Sequence, residues 1–236
     1  MNGIIYYSNT NQSKCVAEYF ERQLKWQLYD LNKLEQAEKA SNIVFEKVVL
    51  IFPVYCQNIP DIISEFLRKL TAQYLTVVAT YGKMCYGRVL YEIQQNYKNG
   101  KIIAGAYVPM KHSYLQEKTN NDFGALSPLV KKTQENNPDP IELKKTYKNV
   151  FADFAKNTRS RMTVKITFDK EKCIYCNKCE RECLFNGIKN HKTNKNCIRC
   201  LKCVTNCPSK ALGFKNSLAL RIYLKKKPND TYKVFI

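Results

Sequence analysis

The sequence predicts an α/β chain: a doubly wound, five-stranded parallel sheet followed by a small, cysteine-rich α+β domain. Three observations predict this. Through the first part of the 236 residues, short apolar strand segments alternate with helical segments, which is the pattern of a parallel sheet covered on both faces. Eight of the 11 cysteines fall between Cys173 and Cys207. Those eight form two runs with one internal spacing, the mark of an internal duplication.

Residues 3–7 form a short apolar strand. The small polar stretch Ser8-Asn9-Thr10-Asn11-Gln12-Ser13 follows, and then a helical run over 14–25 with Val16, Tyr19, Phe20 and Leu24 on one face. A strand, a hydroxyl-rich loop and a helix start make an anion site, because backbone N–H groups and hydroxyls converge where the helix dipole is positive. The same residues also fit an ordinary βα turn with an N-cap serine. Residues 26–31, 47–52, 74–80 and 101–108 read as further strands, and 60–70 and 89–98 as helices, with Pro60 at a helix start. Ligands of such sheets sit beyond the carboxyl ends of the strands. Three unusual loops lie there, over 8–13, 53–58 and 81–87.

Residues 112–140 are long, polar and punctuated by Pro128, Pro138 and Pro140, so they read as a loop or lid. Residues 141–157 read as a closing helix with Leu143, Tyr147, Val150, Phe151 and Phe154 on one side. The expected organisation is a first domain over 1–157, a linker over 158–165 containing Arg159 and Arg161, a second domain over 166–215 and a tail over 216–236. In the tail, 217–224 suits a short strand or helix and Lys225-Lys226-Lys227 a solvated run.

A composition of 44% hydrophobic and 12% aromatic residues supports a core and excludes global disorder. The formal charge is +19, and it is uneven: residues 1–150 carry 19 basic and 14 acidic groups, residues 151–236 carry 20 and 6. Such an excess points to nucleic acid, an anionic membrane or an acidic partner. No helix-turn-helix, zinc-finger or amphipathic basic pattern accompanies it. No apolar run approaches the roughly 18 residues of a membrane span, and the apolar residues 4–7 are too few for a signal sequence. A cytoplasmic protein is therefore expected, where clustered cysteines mean metal more often than disulfides.

Cys173, Cys176, Cys179 and Cys183 are spaced C-x-x-C-x-x-C-x-x-x-C, and Cys197, Cys200, Cys203 and Cys207 repeat this at an offset of 24. The pairs Ile174 and Ile198, Lys178 and Lys202, and Ile188 and Leu212 keep the same offset. Three cysteines so spaced can curl around one face of a cubane and offer three thiolates to three irons, while the fourth iron needs a ligand from elsewhere. Zinc, which takes four ligands in two pairs, leaves the third cysteine of each triplet without a role. The runs resemble those of bacterial 2[4Fe–4S] ferredoxins over about 45 residues. That resemblance implies that Cys173, Cys176, Cys179 and Cys207 hold one cluster, and Cys197, Cys200, Cys203 and Cys183 the other. Pro208 follows the last cysteine as in that pattern, whereas Leu184 replaces the first proline. His191, between the runs, reads as a solvated loop residue.

The stretch from Ile4 to Ser13 resembles the phosphate loop of flavodoxins. Phe52-Pro53-Val54-Tyr55, and Thr80-Tyr81-Gly82 with Tyr86-Gly87, look like the two loops that enclose the isoalloxazine. With His112-Ser113 after the fifth strand, residues 1 to about 215 resemble the EFR family of flavodoxin–ferredoxin fusion proteins. The resemblance implies a flavodoxin-like sheet of order 2-1-3-4-5, one FMN and two [4Fe–4S] clusters. Ser8, Thr10 and Ser13 would bind phosphate, with backbone donors from Asn9, Asn11 and Gln12. Pro53, Val54, Tyr55, Cys56, Gln57 and Asn58 would face the flavin N5 edge, and Thr80, Tyr81, Gly82, Tyr86 and Gly87 the other side. Tyr55 and Tyr86 are the stacking candidates, since a tyrosine offers a flat apolar face with a polar tip. Asn9 and Asn11 stand where such loops usually have glycine, and Cys56-Gln57 replaces a Gly-Gly.

The function expected is electron transfer between an external redox partner, two clusters and FMN. Two other readings are a ferredoxin-dependent flavin reductase, with Tyr86, His112 or Tyr114 donating a proton to a small substrate, and a basic iron–sulfur module on a flavin-free scaffold. No triad or acid pair identifies a catalytic residue. Anionic cofactors would lower the charge to about +13, still enough to favour an acidic partner, a ferredoxin or flavoprotein.

Overall fold

A computed structural model describes residues 1–115, 122–145, 158–226 and 228–236. The described chain divides into two compact units. The first takes residues 1–112, 122–145 and 229–236, the second 113–115, 158–226 and 228. Among the described residues no helix is long and apolar enough to cross a membrane.

The first unit alternates strand and helix: β1 (Asn2–Tyr6), α1 (Gln12–Leu24), β2 (Gln27–Asp30), α2 (Leu34–Ser41), β3 (Val44–Pro53), α3 (Asp61–Lys69), β4 (Thr71–Tyr81), α4 (Val89–Asn96) and β5 (Lys101–Pro109). A 3-10 turn over Gly124–Leu126 then leads into α5 (Ser127–Gln134). The strands lie side by side as β2-β1-β3-β4-β5, all parallel. Because strand side chains alternate between faces, the sheet divides the core in two. Ile5, Leu50, Phe52, Leu75 and Val77 point to one side with α3 and α4. Ile4, Val49, Ile51 and Val78 point to the other, with Val16 and Phe20 of α1 and Leu129 of α5. Ile4, Ile5, Leu50 and Ile51 are fully buried, each burial being worth about 1.5–3 kcal/mol.

Several expectations are corrected. Residues 34–41 form a helix that no apolar stripe announces, since Ala40 is its one fully covered side chain. The expected loop over 112–140 contains α5, which starts with Pro128 in its first turn, where the missing N–H costs nothing. Residues 141–145 have no regular structure, and the rest of the expected closing helix lies outside the described residues. Residues 158–165 are not a bare linker: Thr158–Thr163 is helix α6, and strand β6 (Val164–Phe168) begins directly after it. The tail returns to the first unit, where Lys233–Phe235 pairs antiparallel with β5 as a sixth, edge strand.

The second unit is built from β6 followed by two copies of one motif. Helix α7 (Lys178–Arg181) is followed by β7 (Ile188–Lys189) and β8 (Lys192–Thr193). Helix α8 (Lys202–Thr205) and strand β9 (Leu212–Asn216) repeat α7 and β7 at an offset of 24. β6 pairs antiparallel with β9, and β7 with β8. The equivalent Ile188 and Leu212 are both buried. Helix α9 (Leu218–Leu224) follows, with Ser217 capping it by accepting from the Leu220 N–H. The tail strand of the first unit, Lys233–Phe235, is β10.

Candidate functional site

The cysteine sites are described first. Cys173, Cys176, Cys179 and Cys207 line one hollow that is partly open to solvent, together with Phe168 and His191. Cys207 belongs to the second run and the other three to the first. Cys183 in turn lies near the second run: the thiols of Cys200 and Cys203 both feel Cys183 and Cys197 as charged neighbours, and Cys203 feels Cys179 as well. Gly187 explains how the chain gets there. A Cβ on it would stand 2.6 Å from the Cys197 backbone, so only glycine lets residues 183–187 pass so close to the second run.

Burial first, then the neighbouring cysteines, push the Cys203 thiol up to about 12, and burial pushes Cys200 up to about 11. Cys200 as a residue is half-buried, but its sulfur lies deep. Burial also raises Cys207, but hydrogen bonds from the Leu212 N–H, the Ser209 hydroxyl and the Ala211 and Ser209 N–H groups outweigh it and lower the thiol. Backbone donors reach other sulfurs as well, from Gly187 to Cys183 at 3.1 Å and from Tyr175 to Cys173 at 3.4 Å. Thiols pushed up by burial and then by neighbouring cysteines need a cation to deprotonate, and N–H groups aimed at sulfur suit anionic ligands. Among the described residues no three His, Cys, Asp or Glu converge on the place of a single ion. A cubane differs, because each thiolate binds its own iron. All eight cysteines are free thiols here.

His191 is not a plain solvated loop residue. Its ring stacks on Phe168 at 4.3 Å, meets Tyr175 edge-on at 5.6 Å, and brings Nε2 to 3.5 Å from the Cys173 sulfur. Phe168 is 23 positions away in sequence, so no local pattern could announce the contact.

In the first unit, the three loops singled out in the sequence meet beyond the carboxyl ends of β1, β3 and β4. Asn9 Nδ2 donates to the hydroxyls of Tyr55 and Tyr7, each at 2.7 Å. The Ser13 and Thr80 hydroxyls are 2.8 Å apart, and the Val54 N–H donates to the Thr80 carbonyl at 2.8 Å. A Cβ on Gly87, whose φ is +63°, would run into the Gln57 carbonyl. Asn32 holds the first loop from β2 by donating to the Ser8 carbonyl at 2.9 Å. Thr10 is half-buried and Asn11 exposed at the crest.

This loop fits a phosphate group. Asn11, at φ 62°, caps α1 with backbone alone and leaves the first-turn N–H groups without a side-chain partner at the cap. Asn9 is 5% exposed, yet its Oδ1 has no partner, and neither does the buried Oε1 of Gln12. An amide rotated by 180° exchanges its O and N. Asn9 so turned would accept from both tyrosines and aim its NH₂ at the vacant direction.

The second loop is a two-residue hairpin. Tyr55 and Asn58 exchange both backbone hydrogen bonds, at 3.1 and 2.9 Å, and Cys56 and Gln57 between them have φ of 49° and 68°. Two left-handed residues are what a type I′ turn demands. Cys56 and Gln57 thus hold a left-handed backbone that glycine adopts most readily. Pro53 and Val54 are half-buried beside the hairpin, and Asn58 is buried, donating to the Cys56 carbonyl at 3.0 Å.

Tyr86 carries Tyr107 stacked at 4.1 Å and the Lys233 ammonium 5.0 Å over the ring, so at least one of its faces is already taken. Neither partner was indicated by the sequence pattern. Tyr81 donates to the Asn229 and Thr231 carbonyls of the tail, and burial with Tyr86 nearby pushes it up to about 12. Gly82 is pressed against His112: a Cβ there would lie 2.6 Å from the imidazole. Burial lowers His112 to about 4, leaving it neutral near pH 7. Tyr114 donates to the Arg199 carbonyl at 2.9 Å, within the second unit. Cys85 is exposed.

No family model and no curated protein matches the chain. Among solved structures, it is similar to a protein provisionally described as a flavoprotein from Bacteroides uniformis ATCC 8492. The identity is 15% and the TM-score 0.38, over 47% of this chain and 91% of that one. A second protein with the same description, from Bacteroides eggerthii DSM 20697, is 16% identical with a TM-score of 0.36, over 45% and 86%. Likeness at that level carries no functional argument, so the sites stand on their own geometry.

Proposed function

We propose that the chain is an electron-transfer protein that holds two [4Fe–4S] clusters through its second unit and FMN at the strand ends of its first, and exchanges electrons with an external redox protein. The observation that carries this reading is the exchange of fourth cysteines: Cys207 lines the hollow of Cys173, Cys176 and Cys179, while Cys183 lies with Cys197, Cys200 and Cys203. Two interleaved four-thiolate groups are what a pair of cubanes requires.

The size of the second core supports it. The fully covered apolar side chains there are Val164, Ile188, Leu201, Ala211, Leu212 and Leu224 among the described residues. Such a core is too small to order a unit of about 70 residues without staples, and metal ligation would supply that free energy. When bound, cubanes supply single-electron exchange and flavin both one- and two-electron exchange.

The chain's own residues hold and orient. Gly187 and Tyr175 aim N–H groups at sulfur. The start of α1, with Ser13, Asn9 and Gln12, would hold the FMN phosphate, and Tyr55 is placed by Asn9 to offer its ring. The buried His112, neutral near pH 7, neither repels nor attracts charge beside Gly82.

The test is a reductive titration of protein reconstituted anaerobically with iron, sulfide and FMN. About four electron equivalents per chain are expected, one for each cluster and two for the flavin. Uptake of about two without flavin would overturn the FMN half, and uptake of none the whole reading.

A further inference from the structure

The internal duplication provides its own comparison. Residues 174–177 and 198–201 are equivalent, and their backbones agree: Tyr175 and Arg199 have φ of 53° and 60°, and Asn177 and Leu201 55° and 63°. Their surroundings differ. In the second copy Ile198 and Cys200 are half-buried and Leu201 is buried. Arg199 there donates from Nε to the Val164 carbonyl at 2.9 Å and accepts the Tyr114 hydroxyl at 2.9 Å. In the first copy Ile174 is 64% and Tyr175 54% exposed, and Cys176 and Asn177 are exposed too.

The exposed side chains form one surface. Phe168, 38% exposed, stacks on His191, and His191 meets the Tyr175 ring. Phe168, His191 and Ile174 border the hollow of Cys173, Cys176, Cys179 and Cys207. The neighbouring positions are basic. Lys170, Lys192 and Lys210 are exposed and Lys172 is paired with Asp169 at 2.9 Å, while the acids beside the patch are Glu171 and Glu180, whose carboxylate accepts from the Asn190 N–H at 2.7 Å. Residues 158–226 as a whole carry 17 Lys and Arg against four Asp and Glu.

We propose that the patch of Phe168, Ile174, Tyr175 and His191 is the docking face for an acidic one-electron carrier protein, and that electrons cross the protein surface at the Cys173 group rather than at its duplicate, the Cys197 group. The inference rests on the cluster reading above. An apolar centre that sheds water, within a basic surround that steers an acidic protein, is the anatomy of a specific transient interface. In the step itself the partner is oxidised by one electron and the four-cysteine site is reduced by one. No bond forms or breaks, and the reverse direction balances likewise.

The test uses the full holoprotein and a small acidic 2[4Fe–4S] ferredoxin, reduced stoichiometrically, as the probe. The second-order rate of electron transfer is followed by stopped flow at several KCl concentrations. Ile174→Glu combined with Tyr175→Glu is expected to lower the rate at least tenfold. Leu218→Glu combined with Ile222→Glu, on the exposed face of α9, is expected to leave it within twofold. The rate should fall as KCl rises. Equal rates for wild type and the 174/175 variant, or a greater loss in the 218/222 variant, would overturn the docking face. Iron content and reduction by dithionite are measured on every variant. Iron-free wild type sinks the cluster reading itself, whereas iron-loaded variants that dithionite reduces normally isolate the fate of the docking face.

Discussion

Cys56 and Gln57 show how much a single backbone angle demands. Both sit at positive φ, where a Cβ costs about 1–2 kcal/mol. Gln57→Gly should therefore raise stability in urea by about 0.5–1 kcal/mol, after the extra flexibility of glycine in the unfolded chain is set against the relief. Gly87→Ala should act the other way by about 2–3 kcal/mol, because its Cβ would meet the Gln57 carbonyl at a φ of +63°. His112 makes stability depend on pH. Unfolded, it takes a proton below about 6.5, whereas burial in the fold delays protonation to about 4. The unfolded state then binds more protons between those values, so the contribution is fully present above pH 6.5 and lost as pH falls toward 4. The limit is about 3 kcal/mol. Urea unfolding at pH 7, 5.5 and 4.5 should show that loss in wild type and a flatter profile in His112→Phe; parallel profiles would refute it.

At the scale of elements, the sequence made the long parallel strands and α1 legible because their apolar residues recur at the period of the structure. Val16, Phe20 and Leu24 mark the buried stripe of α1, and the continuous run through Val48, Val49, Leu50 and Ile51 marks a strand covered on both faces. The strand–loop–helix start over residues 2–24 and the duplication of the cysteine runs were equally legible, since local pattern fixes them. What escaped has a physical reason. α2 buries little, so it has no stripe to read. β10 is three residues at a sheet edge, and its strand state comes from pairing with β5. α5 did carry a signal in Leu126, Leu129, Val130 and Thr133, but the prolines around it spoke for a loop. Two long-range contacts hold it: the Thr76 and Thr133 hydroxyls lie 2.8 Å apart, and the buried Lys47 ammonium donates to the Glu135 carbonyl at the helix end, at 2.7 Å. A cation at that end is favourable, and Lys47→Ala should cost about 2 kcal/mol in a denaturant titration by leaving the carbonyl unmet. Removing residues 229–236 should bare the β5 edge and take away the partners of Tyr81. The expected result is a lower Tm and aggregation on heating.

At the scale of the molecule, the two units differ in what holds them. The first has a two-sided hydrophobic core, the second a short roster of buried apolar residues around eight thiols. Iron removal should therefore speed amide exchange across residues 164–216 while β1, β3 and β4 keep their protection. Uniform change over both units would speak against metal as the staple. With the proposed anionic clusters in place, the basic charge concentrated in the second unit would favour an acidic protein over nucleic acid. The most direct measurement is the iron, acid-labile sulfide and flavin content of protein purified without oxygen. About eight irons, eight sulfides and one FMN per chain are predicted. A colourless protein with zinc and no sulfide would contradict it.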